Sequence, residues 1–148
     1  MIFETGTQHP TPAQRRMVRE IADDSFTTTL PQDFGSVPCG SKWRHDATTG
    51  VALRMRCVEP HTDDWVGAGK YPRRYAAVFW VVDLPRFEEL FLHVGMEAKR
   101  MRAGDFVVFK DSVLHSVISK RVWRGCAYQV RPNVRAKATA AGGSPLSE

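Results

Sequence analysis

Between residues 51 and 132 the chain is a series of short apolar runs at regular spacing, with Gly or Asp turns between them. Such spacing suits strands packed on one another, and it leaves no place for alternating strands and crossover helices. The runs are "VALRMRCVEPH" (51–61), "YAAVFWVVDL" (75–84), "LFLHVG" (90–95), "RMRAGDFVVFKD" (100–111), "VLHSVIS" (113–119) and "WRGCAYQVRP" (123–132). In the first, Leu53, Met55 and Cys57 alternate with Arg54 and Arg56, the period of a strand with one buried face. The second is apolar almost throughout, as a core strand of a sandwich is. The residues therefore predict an all-β sandwich or barrel.

Upstream, "TPAQRRMVREIADD" (11–24) predicts one N-terminal helix, with Thr11 as its cap, Pro12 in the first turn, and Met17, Val18 and Ile21 at helical spacing. Residues 25–50 are rich in turn formers and predict short extended pieces that cover or flank the main sheet. Residues 133–148 are small and polar and cannot bury enough surface to offset their ordering entropy, so a disordered tail is expected. At 148 residues, 43% hydrophobic and 25% charged, the chain has the size of one ordinary domain, read as residues 1–132. No internal repeat and no phosphate-binding glycine loop is present.

Three cysteines, Cys39, Cys57 and Cys126, make no CxxC pair and are odd in number, which favours reduced thiols and a cytoplasmic setting. The longest apolar run is too short to span a bilayer, and no basic segment precedes an apolar core at the N-terminus, so a soluble protein is expected. A formal net charge of +5 favours anionic partners, such as a nucleotide or an acidic segment, without requiring one.

The chemistry concentrates in "HTDD" at 61–64 and in His115. His61 and Asp63 share a side of an extended chain provided Pro60 does not shift the register, whereas Asp64 faces away and is the fallback ligand. Two imidazoles and one carboxylate on one side of a metal leave the other positions open, the donor set of non-haem Fe(II) oxygenases. On the last run, strand alternation groups Arg124, Cys126, Tyr128 and Val130 on the more apolar face, opposite Gly125, Ala127, Gln129 and Arg131. A guanidinium on an inward face implies an anion brought to it, and its fork suits a carboxylate.

Together His61-Thr62-Asp63, His115 and Arg124 resemble the HxD…H…R pattern of the Fe(II)- and 2-oxoglutarate-dependent oxygenases, over about residues 50–132. The resemblance implies a double-stranded β-helix of jelly-roll or cupin-like type, to which the residues themselves add the one N-terminal helix. It further implies Fe(II) on His61, Asp63 and His115, and 2-oxoglutarate with its far carboxylate on Arg124. The implied reaction uses O2 to hydroxylate a substrate, which the sequence does not identify, with release of succinate and CO2. Cys126 stands where family members commonly carry a hydroxyl residue, and Tyr75 is a candidate hydroxyl donor to the same carboxylate.

Two other classes stay open. A metal cupin without 2-oxoglutarate would explain "AGDFVVFKDSVLHSV" (103–117), but its first motif wants HxH and a following glutamate. A non-catalytic jelly-roll module would use the same polar residues only to line a ligand pocket. His93 is expected to be structural, His9 and His45 to lie at the surface, and "KYPRRY" (70–75) to be a solvated loop.

Overall fold

The computed structural model describes residues 1–21, 27–47, 49–63 and 76–133. Its elements are β1 (Ile2–Thr7), α1 (Pro12–Ile21), β2 (Thr27–Thr29), β3 (Trp43–His45), β4 (Val51–Met55), β5 (Val58–His61), β6 (Ala76–Asp83), β7 (Leu90–Val94), β8 (Glu97–Met101), β9 (Asp105–Phe109), β10 (His115–Ser119) and β11 (Trp123–Pro132). They form a seven-stranded antiparallel sheet in the order β1-β9-β6-β11-β4-β2, with β3 also on β11, and a four-stranded sheet in the order β5-β10-β7-β8.

The eight strands from β4 to β11 pair as one long hairpin rolled up on itself. β7 pairs β8, β6 pairs β9, β5 pairs β10 and β4 pairs β11, all antiparallel. Successive strands pass between the two sheets, which is the double-stranded β-helix, or jelly roll, in agreement with the expected architecture. One apolar layer, with Phe79, Leu92, Met101, Phe109 and Trp123, fills the space between the sheets. A second, with Val18, Trp80, Phe106, Cys126 and Tyr128, lies between the larger sheet and α1 with its adjoining loops.

The helix starts as its sequence predicts. Thr11 Oγ1 accepts from Gln14 N at 3.0 Å and Gln14 Oε1 accepts from Thr11 N at 3.0 Å, a reciprocal cap that satisfies two end donors. Gln14 Nε2 also donates to the carbonyls of Phe34 (3.2 Å) and Ser36 (2.7 Å), tying the helix to the loop it covers. The expected short extended pieces are β2 and β3, which pair with β4 and β11 and so extend the main sheet. The structure adds β1, in a stretch for which no element was expected; it pairs β9 and lengthens the same sheet.

Two runs divide where a single strand was expected. Residues 100–111 split at a turn in which Asp105 N donates to Arg102 O and Arg102 N to Asp105 Oδ2, with Gly104 at φ 95°. Only glycine takes that conformation without strain. Residues 51–61 also divide: β4 belongs to the larger sheet and β5 to the smaller. The corner between them is held by Trp123 Nε1 donating to Arg56 O at 2.9 Å and by Arg56 Nη1 and Cys57 Sγ donating to Ser119 O. Cys57 is therefore exposed, not on the inner face as its parity with Leu53 and Met55 had predicted.

Candidate metal centre

At one end of the smaller sheet, β10 begins with His115 directly opposite His61, the last residue of β5. Between this pair and the next, Val117 opposite Val58, β5 advances three residues while β10 advances two. This bulge re-aims the chain. The corner after Met55 had already shifted the alternation once, so the two shifts cancel and Leu53, Met55, Val58, His61 and Asp63 all line one cavity. Asp63 is fixed just beyond β5 by its N–H, which donates to Asp111 O at 3.0 Å.

The three side chains meet. Asp63 Oδ1 is 3.2 Å from His61 Nε2, its Oδ2 is 3.4 Å from His115 Nε2, and one donor atom from each residue falls within 4.8 Å of the others. Each imidazole is oriented by its other nitrogen: His61 Nδ1 lies 2.8 Å from Glu59 O and His115 Nδ1 lies 2.7 Å from Val113 O. A carbonyl can only accept, so each Nδ1 carries a proton and each Nε2 faces the carboxylate. Lone pairs facing an anion repel unless a cation lies between them. The donor set thus fits a metal ion, and in its absence a proton. Burial works to lower the His115 pKa, but the hydrogen bonds to Asp63 and the Val113 carbonyl, with the charges of Asp63 and Asp111, outweigh it and leave the pKa raised. His115 is buried and packs edge-on against Phe109 at 4.8 Å, whereas His61 opens outward, with 42% of its side chain exposed.

The cavity, about 290 Å³, extends from these groups between the sheets. Its remaining lining is apolar and includes Phe79, Leu92, Phe109 and Trp123.

Other expected site residues lie elsewhere. Arg124 does not enter the cavity: its Nη1 is 3.8 Å from Asp83 Oδ2, on the face of the larger sheet that α1 covers. Register gives the reason. β11 pairs Trp123 with Met55, Gly125 with Leu53 and Ala127 with Val51, all cavity-lining partners, and pairs Arg124 with Arg54 and Cys126 with Ala52. The inward face of β11 is therefore that of Trp123, Gly125, Ala127 and Gln129, the reverse of the sequence reading. Cys126 is buried in the helix-side layer, which pushes its thiol pKa up, and does not touch the cavity. Alternation had been set by apolarity, and the layer under α1 is as apolar as the one between the sheets. Tyr75, Asp64 and the basic run 70–75 lie outside the described residues.

His93 lies on the outer face of β7, between the inward Leu92 and Val94. His45 bonds Thr49 O through Nε2 at 3.0 Å. The sequence reading overlooked Asp111 and Gln129, both buried. A polar residue set in an apolar strand face was the available signal for Gln129, and the inverted parity concealed it.

No protein-family model matches this chain, and no curated protein matches it. Among solved structures, similarity is found to a cupin-2 domain protein of Shewanella frigidimarina (12% identity, TM-score 0.39), covering 65% of this chain and 76% of that one. It is found also to the cupin domain of Schizosaccharomyces pombe Cnp3 (9% identity, TM-score 0.42, covering 82% and 74%). A cupin 2 conserved barrel protein of Salinispora arenicola gives 9% identity and a TM-score of 0.41, covering 78% and 82%. The fold assignment rests on strand order in the two sheets and not on these likenesses.

Proposed function

We propose that this chain is a mononuclear non-haem metal enzyme, with Fe(II) held by His61, Asp63 and His115, that uses O2 to oxidise a small molecule bound in the adjoining cavity. The observation that carries this reading is the pair of Nδ1 contacts, which leave both Nε2 atoms available to a cation beside Asp63. Two nitrogen donors and one carboxylate suit Fe(II). Bound there, the metal supplies a redox centre with positions left for dioxygen and substrate.

The chain's own residues do the rest. The carbonyls of Glu59 and Val113 hold the imidazole protons away from the metal side, as outer partners of metal-bound histidines commonly do. Asp63 offsets the metal's charge, and Phe79, Leu92, Phe109 and Trp123 exclude water from the space in front of it.

The narrower reading, a 2-oxoglutarate-dependent hydroxylase releasing succinate and CO2, is supported by the order HxD then H. It lacks Arg124 as anchor for the far carboxylate, because that guanidinium faces Asp83. Tyr75 remains a proposed contact.

The test begins with anaerobic Fe(II) loading, where one iron per chain is expected in the native protein and little in His61→Ala. A chain that takes up no iron would remove the proposal and leave a ligand-binding jelly roll. Titration of the loaded protein with 2-oxoglutarate, followed by visible absorption, then decides the cosubstrate. A saturable band supports the narrower reading, and its absence leaves an oxygenase without 2-oxoglutarate.

A further inference from the structure

Gln129 is 1% exposed, and neither its Oε1 nor its Nε2 has a hydrogen-bond partner among the described residues. By alternation it shares the inward face of β11 with Ala127, which lines the cavity. Its cross-strand partner is Ala77, which also lines the cavity. Ala77 in turn pairs with Phe109, whose ring packs on His115. Gln129 therefore stands at the level of the metal ligands, two strands from Phe109 in the larger sheet, a separation of about 10 Å.

Nearly all buried polar groups in folded proteins are hydrogen-bonded, and an unpaired one is costly. Gln129 is not itself part of the cavity wall, but it adjoins two residues that are, and an unpaired amide in that position can take up a hydrogen-bonding group of a ligand. A primary amide both donates and accepts, and carries no charge. The titratable groups lining the cavity, among the described residues, are His61, Asp63 and His115, and these are directed at one another. Away from the metal ligands, a charged group of a substrate would lose its hydration against the apolar remainder without a countercharge.

We propose that the cavity takes a neutral, largely apolar small molecule with one hydrogen-bonding group, a carbonyl, hydroxyl or amide, and that Gln129 receives that group. This rests on the proposed metal site for the chemistry that follows binding, not for binding itself. The positive charge of the chain then has no part in substrate choice.

Two measurements test it. The first is thermal unfolding of Gln129→Met and Gln129→Leu without ligand. Removal of an unpaired buried amide raises the midpoint by about 3 to 6 °C. A fall in both variants would mean that Gln129 is satisfied within the fold, and would overturn the proposal. The second is binding of 3-phenylpropanamide, 3-phenylpropanoate and butylbenzene, followed by ligand-detected NMR, with metal content measured on the same samples. Native protein binds the amide about tenfold more tightly than the carboxylate. Gln129→Met loses about tenfold for the amide alone, the worth of one neutral hydrogen bond.

Preference for the carboxylate, equal amide affinity in variant and native protein, or no saturable binding of any probe would each overturn the assignment. Protein that takes up no iron on anaerobic loading yet still shows the Gln129 pattern would defeat the proposed oxidation chemistry and leave this inference standing. Metal-loaded protein indifferent to Gln129 would do the reverse.

Discussion

At the scale of single residues, Asp63 and Cys126 give opposite expectations from the same sequence reading. Asp63 is the anion between the two Nε2 atoms, so in the proposed site Asp63→Ala would remove a donor and the charge that offsets a metal. Metal affinity should fall by at least about 100-fold, beyond the 10- to 100-fold typical of losing an outer partner, as read by competition with a chromogenic chelator. Cys126 was expected beside a cosubstrate carboxylate and instead packs with Trp80 and Tyr128 under α1. Cys126→Ser should therefore leave metal binding unchanged and lower stability by about 1–3 kcal/mol, the cost of a buried hydroxyl without a partner, measured by urea unfolding. Loss of metal or cavity binding in this variant would return Cys126 to the site.

At the scale of elements, α1 is fastened to the larger sheet through Arg19, whose guanidinium takes both oxygens of Asp83 at 3.0 and 3.1 Å. Arg19 holds the Asp83 carboxyl below its ordinary range, chiefly by this hydrogen bond and with added attraction from Arg124 and Arg15, while burial opposes the shift. A carboxyl with a depressed folded pKa stabilises the fold above its unfolded value, about 3.9. That contribution is lost as pH falls through the folded value. Because Arg19 is more than half exposed, the pair is worth only about 0.2–1 kcal/mol. Asp83→Asn should be less stable than the native protein by that amount near pH 6, and the gap should narrow as pH falls below the ordinary carboxylate range and protonates Asp83. A gap that does not change with pH across the whole acid range would mean that Asp83 acts through packing instead.

On the neighbouring strand, β11 is bulged against β6 between Arg124 and Gly125, and a Cβ on Gly125 would sit 2.5 Å from Trp80 O. Backbone cannot yield there as a side chain can. Gly125→Ala should cost about 1–3 kcal/mol through overpacking, and the β11–β6 amides should show it first in hydrogen exchange.

At the scale of the whole molecule, the jelly roll was legible because turn spacing and strand period survive any choice of which face is inward. Parity did not survive. In a two-layered fold with a helix over one sheet, both faces of β6 and β11 are apolar, so alternation identifies two faces and cannot say which meets the other sheet. His61 and Asp63 came out correctly inward even though the strand they were read on breaks at a corner and bulges before His61, two shifts that restore the phase. Arg124 had no such compensation.

The same architecture makes the candidate centre a folding contact as well as a chemical one. Its donors come from the end of β5, the segment just after it and the start of β10, so a bound ion joins two strands of the smaller sheet that otherwise pair over a few residues. A metal that binds only the folded chain stabilises it by mass action, about 2.7 kcal/mol at one hundred times its dissociation constant. For a domain of this size that corresponds to a midpoint rise of about 6 to 10 °C. Adding Fe(II) under anaerobic conditions, or Mn(II) in air, should produce this rise in native protein and none in His61→Ala. An equal rise in both would place the ion elsewhere on the chain, and no rise in native protein would mean that a proton, not a metal, sits between these three side chains.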